Sequence, residues 1–136
     1  MEFNSSDILV LQSVFNCEGR DGSAASLAGI ISYADYIDHS VMTYDEFANG
    51  VQKLMAIRLV MQRGKKFATT KRFKDWWSEK FKDKKRVYAD KERIEFKAYL
   101  NEVFGKTDAI KSKTVLKLDA ETFDLEVKAY LARMNV

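Results

Sequence analysis

Apolar residues recur at helical spacing in several stretches of the chain, and polar or turn-forming residues separate those stretches. In the clearest stretch, Phe47, Val51 and Leu54 lie on one face of a helix. Thr43 and Glu46 form the S/T-x-x-E pattern of a capping box, in which each side chain accepts a hydrogen bond from the other residue's backbone. The sequence therefore predicts a helix that begins at Thr43 and buries the Phe47 face.

A basic hairpin is predicted directly after this helix. Residues 59–61 (LVM) form a short apolar run of strand type, and residues 67–69 (FAT) begin a return strand. The turn between them reads Arg63-Gly64-Lys65-Lys66, and glycine is typical of tight turns. The hairpin therefore carries basic side chains at its tip.

Amphipathic spacing predicts further helices on both sides of the hairpin, each with a residue at its start that can accept a backbone hydrogen bond. The residues expected to cap these helices are Ser6 or Asp7, Ser26, Thr70, Asp90 and Asp119. Residues 114–118 are a candidate for a short extended piece. We expect a mainly α fold with a small β hairpin in residues 1–83. A C-terminal helical extension, residues 84–136, is expected to pack on the same domain.

Basic residues are concentrated in the middle of the chain, although its net charge is only +3. Residues 1–52 carry one basic and eight acidic residues, a net charge of −7. Residues 53–93 carry fifteen basic and five acidic residues, a net charge of +10, and residues 94–136 carry seven of each. A positive segment that includes a hairpin is typical of a surface that faces phosphate. The alternative is a solvated, lysine-rich helix face without a partner.

Little in the sequence points to catalysis. His39 is the only histidine and Cys17 the only cysteine, so we expect no metal site, no internal disulfide and a reducing, cytoplasmic setting. Cys17 is either a small core residue or a reactive thiol, and His39 either packs in a loop or serves a catalytic group. We expect no enzyme activity and no cofactor. No stretch of about 20 apolar residues is present, so no membrane span is expected.

The helix and basic hairpin resemble the recognition helix and wing of the winged helix-turn-helix superfamily of bacterial transcriptional regulators. The resemblance covers residues 7–82, and the residues that carry it are Phe47, Val51, Leu54, Leu59, Val60, the turn of residues 63–66, Phe67 and Thr70. Two features depart from the family pattern. The connection of residues 38–42 is longer than the simplest turn, and Arg58 stands before the first wing strand, where many members have glycine. Either the helix before the wing ends differently, or Arg58 adopts a strained conformation.

This resemblance implies binding to duplex DNA, with the third helix in the major groove and the wing on the backbone or minor groove. By the resemblance, Asn49, Gln52 and Lys53 face bases or phosphates, since Asn and Gln can bind adenine edges and Lys can bind guanine or phosphate. The contacts expected from the wing and from the helix after it are Arg63, Lys65, Lys66, Lys71 and Arg72. A sequence-specific or a general DNA-binding protein, such as a transcriptional regulator, is therefore expected.

A protein-interaction or assembly role without DNA is the alternative. Asp45 and Glu46 lie in the first turn of the expected recognition helix, where carboxylates repel phosphate. A homodimer is also expected, because the helix after the hairpin carries a broader aromatic surface than one core face requires. The aromatic residues of that surface are Phe73, Trp76, Trp77 and Phe81. They either face a partner subunit or lie in the core. The sequence identifies no small-molecule effector.

Overall fold

The structure is a computed structural model that describes residues 2–83, 86–106 and 115–135. These residues form a mainly helical fold with a small antiparallel sheet, which confirms the fold class expected from the sequence. The elements in chain order are α1 (Ser5–Cys17), β1 (Ala25–Ser26), α2 (Leu27–Asp38), α3 (Tyr44–Ala56), β2 (Val60–Arg63), β3 (Lys66–Thr69), α4 (Lys71–Lys80), α5 (Ala89–Tyr99), a π-helical turn (Leu100–Phe104) and α6 (Ala120–Met134).

Four of the expected capping residues begin helices as predicted. Thr43 and Glu46 form both hydrogen bonds of the capping box at the start of α3. The side chains of Ser26, Thr70 and Asp119 each accept from a backbone N–H in the first turn of α2, α4 and α6. Because these bonds satisfy N–H groups that the helix itself leaves without partners, they fix where each helix starts.

The other two expected caps are wrong. Helix α1 begins after Asn4, whose side chain accepts from the Asp7 N–H while the Asp7 carboxylate accepts from the Asn4 N–H. Asp7 is therefore the third residue of a capping box rather than the cap itself. Helix α5 begins after Tyr88, which makes no side-chain cap, and Asp90 lies within the first turn. A carboxylate there still favours the helix dipole.

The three strands pair antiparallel in the order β1-β3-β2. Strands β2 and β3 form the expected hairpin, in which Arg63 pairs with Lys66 across a two-residue turn of Gly64 and Lys65. Gly64 has a φ of +62°, a conformation that glycine adopts without a steric penalty. Strand β1 joins the sheet through the pairing of Ala25 with Phe67.

Helix α1 lies at the centre of the core and contacts α2, α3, α5 and β3. Its side chains Val10, Leu11 and Val14 are completely buried. The crossing with α3 is close at Gly50, where an added Cβ would lie 3.0 Å from Val10 Cγ2 and 3.3 Å from Asp7 Cα. A glycine at that position lets the two helix backbones approach each other.

The C-terminal elements pack against the same core. Phe123 of α6 is fully buried and stacks on Phe47 of α3 with ring centroids 5.5 Å apart. Phe96 of α5 is also fully buried and meets Phe73 of α4 edge to face at 5.1 Å. The four aromatic residues for which the sequence left open a partner subunit or the core therefore have ring partners within the chain. Trp76 stacks on Tyr99 of α5 at 4.2 Å, for example.

Candidate nucleic-acid interface

The hairpin of β2 and β3 presents three cations from a firmly anchored base. Val60 and Phe67 point into the core and are almost completely buried. Arg63, Lys65 and Lys66 are exposed at the opposite end of the hairpin, around the Gly64 turn. None of these three cations, called the hairpin cations below, forms an ion pair with a residue that the structure describes. Their charge is available to an external anion.

The two expected contacts on α4 are exposed but already engaged. The Lys71 ammonium lies 2.6 Å from the Asp75 carboxylate one helical turn along. The Arg72 guanidinium donates to the Ile57 carbonyl at 3.3 Å and lies over the Phe104 ring at 5.0 Å. An exposed pair such as Lys71–Asp75 contributes little to stability, about 0.3–0.5 kcal/mol. The paired carboxylate does, however, reduce the net positive charge that α4 offers to a phosphate.

The three residues of α3 that were expected to read DNA have different surroundings in the structure. Asn49 is exposed. The Lys53 ammonium turns back onto α1, where it lies 2.8 Å from Asp7 Oδ2 and 3.0 Å from the Glu2 carbonyl. The Asp7 side chain is only 1% exposed. Lys53 therefore compensates a buried charge, and moving it to a phosphate would leave that carboxylate without its partner.

Gln52, the third of these residues, holds a segment of the C-terminal half. Residues 115–119, called the strap below, cross α3 and β2 just before α6 begins. The Leu116 N–H donates to Gln52 Oε1 at 2.9 Å, and the Tyr44 hydroxyl donates to the Leu118 carbonyl at 2.6 Å. The Gln52 side chain is therefore engaged in a hydrogen bond within the chain.

Gln62 of β2 forms a second attachment of the strap. Its amide accepts from the Lys117 N–H at 2.9 Å and donates to the Lys117 carbonyl at 3.0 Å. This pairing of one amide with both backbone groups of one residue reproduces the hydrogen bonds of a strand neighbour. The flanking Leu116 and Leu118 are half-buried against the core. Each hydrogen bond contributes about 0.5–1.5 kcal/mol, so the four together hold the strap against the domain.

The strap leaves α3 with an acidic outer surface. In α3 and its N-cap the exposed side chains are Thr43, Asp45, Glu46 and Asn49. A hydrogen bond from the Thr43 backbone holds the pKa of Glu46 below its usual range, so this carboxylate is ionised at neutral pH. Two carboxylates beside one amide oppose the approach of a phosphate backbone to this end of the helix.

Sequence reasoning missed Gln62 and Lys117. Gln62 lies in a strand with no motif around it, and its partner is 55 residues away. A weak signal exists in the strap, where exposed and half-buried side chains alternate from Val115 to Leu118, as expected of a short extended piece. Nothing in that alternation identifies the surface on which the strap lies.

The residues considered for catalysis occupy structural positions. Cys17 Sγ lies 3.2 Å from the Gly29 carbonyl, and burial raises the pKa of its thiol to about 11. The thiol is therefore protonated at neutral pH and is a poor nucleophile. His39 ends α2 in a left-handed conformation, with its N–H donating to the Asp35 carbonyl. Within the described ranges, no three His, Cys, Asp or Glu side chains are grouped to hold a metal ion.

Comparisons with known proteins do not assign the chain to a family. No protein-family model, curated protein or solved structure matches the chain significantly. Of the helices in the described parts of the chain, none has the length and apolar character needed to cross a bilayer.

Proposed function

We propose that this chain is a winged-helix protein with a C-terminal helical extension, and that it binds duplex DNA through its hairpin. The observation that carries the proposal is the group of hairpin cations, Arg63, Lys65 and Lys66. They are exposed together on an anchored hairpin and lack ion-pair partners among the described residues. Cations that project from a fixed scaffold suit the closely spaced phosphates of a duplex. With this function we also propose a cytoplasmic location and a role as a transcriptional regulator.

The geometry favours general binding to the DNA backbone over reading of the base sequence. Phosphate contacts position a protein without carrying sequence information, whereas base edges must be reached by side chains that enter a groove. Of the three residues expected to read bases, Gln52 binds the strap and Lys53 binds Asp7. Asn49 remains exposed, but its neighbour on the outer surface is the ionised Glu46. Base reading by α3 therefore has little support.

A salt titration tests the proposal. Fluorescence anisotropy with a random-sequence duplex, measured at several salt concentrations, gives the slope of log K against log salt. Each neutralised phosphate contributes about 0.9 to that slope. Replacing Lys65 and Lys66 together with Ala should weaken binding and flatten the slope by up to about 1.8. Asn49→Ala should leave the ratio of affinities for different duplex sequences unchanged.

The matched control removes two other exposed lysines, Lys97 of α5 and Lys128 of α6, which lie outside the hairpin. The control changes net charge by the same amount, so it separates a local contact from a general charge effect. Equal slopes for the hairpin variant and the control would exclude a hairpin contact. Binding that disappears at physiological salt in the unmodified protein would favour the alternative role, protein interaction.

A homodimer through α6 is the second candidate. The aromatic residues that first suggested a dimer are packed within the chain, but α6 exposes other apolar side chains. Leu131 is 41% exposed and Met134 63% exposed, and the two lie on the same face at a spacing of three residues. Symmetric dimers are the commonest oligomers. Sedimentation equilibrium at micromolar concentration should show a dimer that Leu131→Lys combined with Met134→Lys converts to monomers. A monomeric unmodified protein would contradict the candidate.

A further inference from the structure

We infer that the nucleic-acid surface is built from both halves of the chain, with Lys117 of the strap acting as a fourth phosphate contact and Gln62 as the residue that positions it. The inference rests on the proposed DNA binding and adds a contact that the hairpin alone does not contain.

The position of Lys117 follows from one shared hydrogen-bond donor. Gln62 Nε2 donates to the Lys117 carbonyl at 3.0 Å and to the Gly64 carbonyl at 2.9 Å. Gly64 is in the turn between Arg63 and Lys66. The Gln62 amide therefore joins the strap backbone at Lys117 to the turn of the hairpin, where the hairpin cations lie.

The side chain of Lys117 points away from the core. Leu116 and Leu118 on either side are half-buried against the domain, and side chains alternate in direction along an extended chain. Lys117 itself is exposed and forms no ion pair with a described residue. Its charge thus adds to that of the hairpin cations and is complementary to the same phosphate backbone.

Gln62 fixes this arrangement without contributing charge. Its amide pairs with both backbone groups of Lys117, so the strap cannot slide along β2 without breaking both bonds. A positioning residue of this kind should influence DNA affinity only while Lys117 is present. That dependence distinguishes it from a direct contact.

The test measures salt slopes for four variants with the random-sequence duplex. Lys117→Ala should flatten the slope by about 0.9, the value of one phosphate contact, and Lys117→Arg should restore the unmodified slope. Lys128→Ala, which removes an exposed lysine from α6, is the control and should leave the slope unchanged. Gln62→Met, which is similar in size but cannot form the amide bonds, should lower the slope by no more than Lys117→Ala does.

A double variant decides the role of Gln62. Combining Gln62→Met with Lys117→Ala should give the slope of Lys117→Ala alone, because the two changes remove the same contact. Additive losses would show that Gln62 acts through the hairpin turn or touches DNA itself, and would overturn the positioning role. Should Gln62→Met not fold, as judged by far-UV circular dichroism, the Lys117→Ala and Lys117→Arg pair still decides whether Lys117 binds phosphate.

Failure of this inference and failure of the proposed function give different results. If the unmodified protein shows no salt-dependent DNA binding, the proposed function fails. If it binds, and the Lys65 and Lys66 double variant flattens the slope while Lys117→Ala does not, only the composite surface is excluded.

Discussion

At the scale of single residues, the most unusual group is Glu92, a carboxylic acid that is only 4% exposed. Asn16 Nδ2 donates to Glu92 Oε1 at 2.6 Å, but no ion pair with a described cation compensates the charge. Burial raises the pKa of Glu92, and the hydrogen bonds from Asn16 and Gln12 lower it by less. Nearby, Gln12 Oε1 is buried without a donor among the described residues.

The raised pKa of Glu92 predicts that the protein loses stability as the pH rises from about 4.5, the usual pKa of this group. Across the window from that value up to the raised pKa of the folded state, the folded protein holds a proton that the unfolded chain has released. Stability falls with pH wherever the folded state binds more protons. Glu92→Gln should abolish this part of the pH dependence, so the variant should gain most, relative to the unmodified protein, at pH 7.

Urea unfolding of both proteins at pH 4 and pH 7 checks this prediction. Glu95→Gln is the matched control on the same helix. Glu95 forms ion pairs with Lys91 and Lys80, and their hydrogen bonds lower its pKa, so its removal should not produce a gain at pH 7. A Glu92→Gln variant whose advantage is the same at both pH values would contradict the assignment.

Among the secondary-structure elements, the end of α3 departs most clearly from what the sequence favours. The Arg58 N–H donates to the Met55 carbonyl and the Leu59 N–H donates to the Leu54 carbonyl, which is the bonding pattern of a Schellman motif. Arg58 occupies its left-handed position with a φ of +60°. Of the two outcomes open from the sequence, a different helix end or a strained arginine, the structure shows the second.

Arg58→Gly should therefore stabilise the protein by up to about 1 kcal/mol. A left-handed non-glycine residue costs about 1–2 kcal/mol, and the greater flexibility of glycine in the unfolded chain offsets part of the gain. Arg58→Ala is the matched control because it removes the same charge and keeps a Cβ in the strained conformation. If both variants have the same free energy of unfolding in urea, backbone strain at this position is not the cause.

How far the elements could be predicted depends on how local their signals are. Thr43 and Glu46 lie three residues apart and define the start of α3 by themselves, so that helix was predicted correctly. Gly50 was not recognised as the helix-crossing residue, because the contact that requires a glycine is with Val10 of α1. For the same reason, the sequence could not show that Gln52 and Lys53 have partners within the chain, since those partners are 64 and 46 residues away.

On the scale of the whole molecule, the two halves that the sequence suggested share one hydrophobic core. Phe123 of α6 lies between Phe47 and Tyr44 of α3, with centroid distances of 5.5 and 5.9 Å. Tyr130 on the same helix donates to Asp35 of α2 at 2.5 Å. Helix α6 thus packs on α2 and α3. The strap that leads into it is held at α3 by Gln52 and at β2 by Gln62.

This shared core predicts a single cooperative unfolding transition in which residues 1–83 depend on α6. Phe123→Ala should lower the free energy of unfolding by about 3–5 kcal/mol, the usual cost of deleting a fully buried aromatic ring.

Trp76 and Trp77 lie on α4, in the first half, so tryptophan fluorescence follows that half while far-UV circular dichroism follows all the helices. Both signals should shift to the same lower urea midpoint. Leu125 of α6 is 59% exposed, so Leu125→Ala should change the free energy of unfolding by no more than about 0.5 kcal/mol. A fluorescence transition that stays in place when Phe123 is replaced would mean that the first half folds independently. The strap would then be an attached segment rather than a fixed part of the DNA-binding surface.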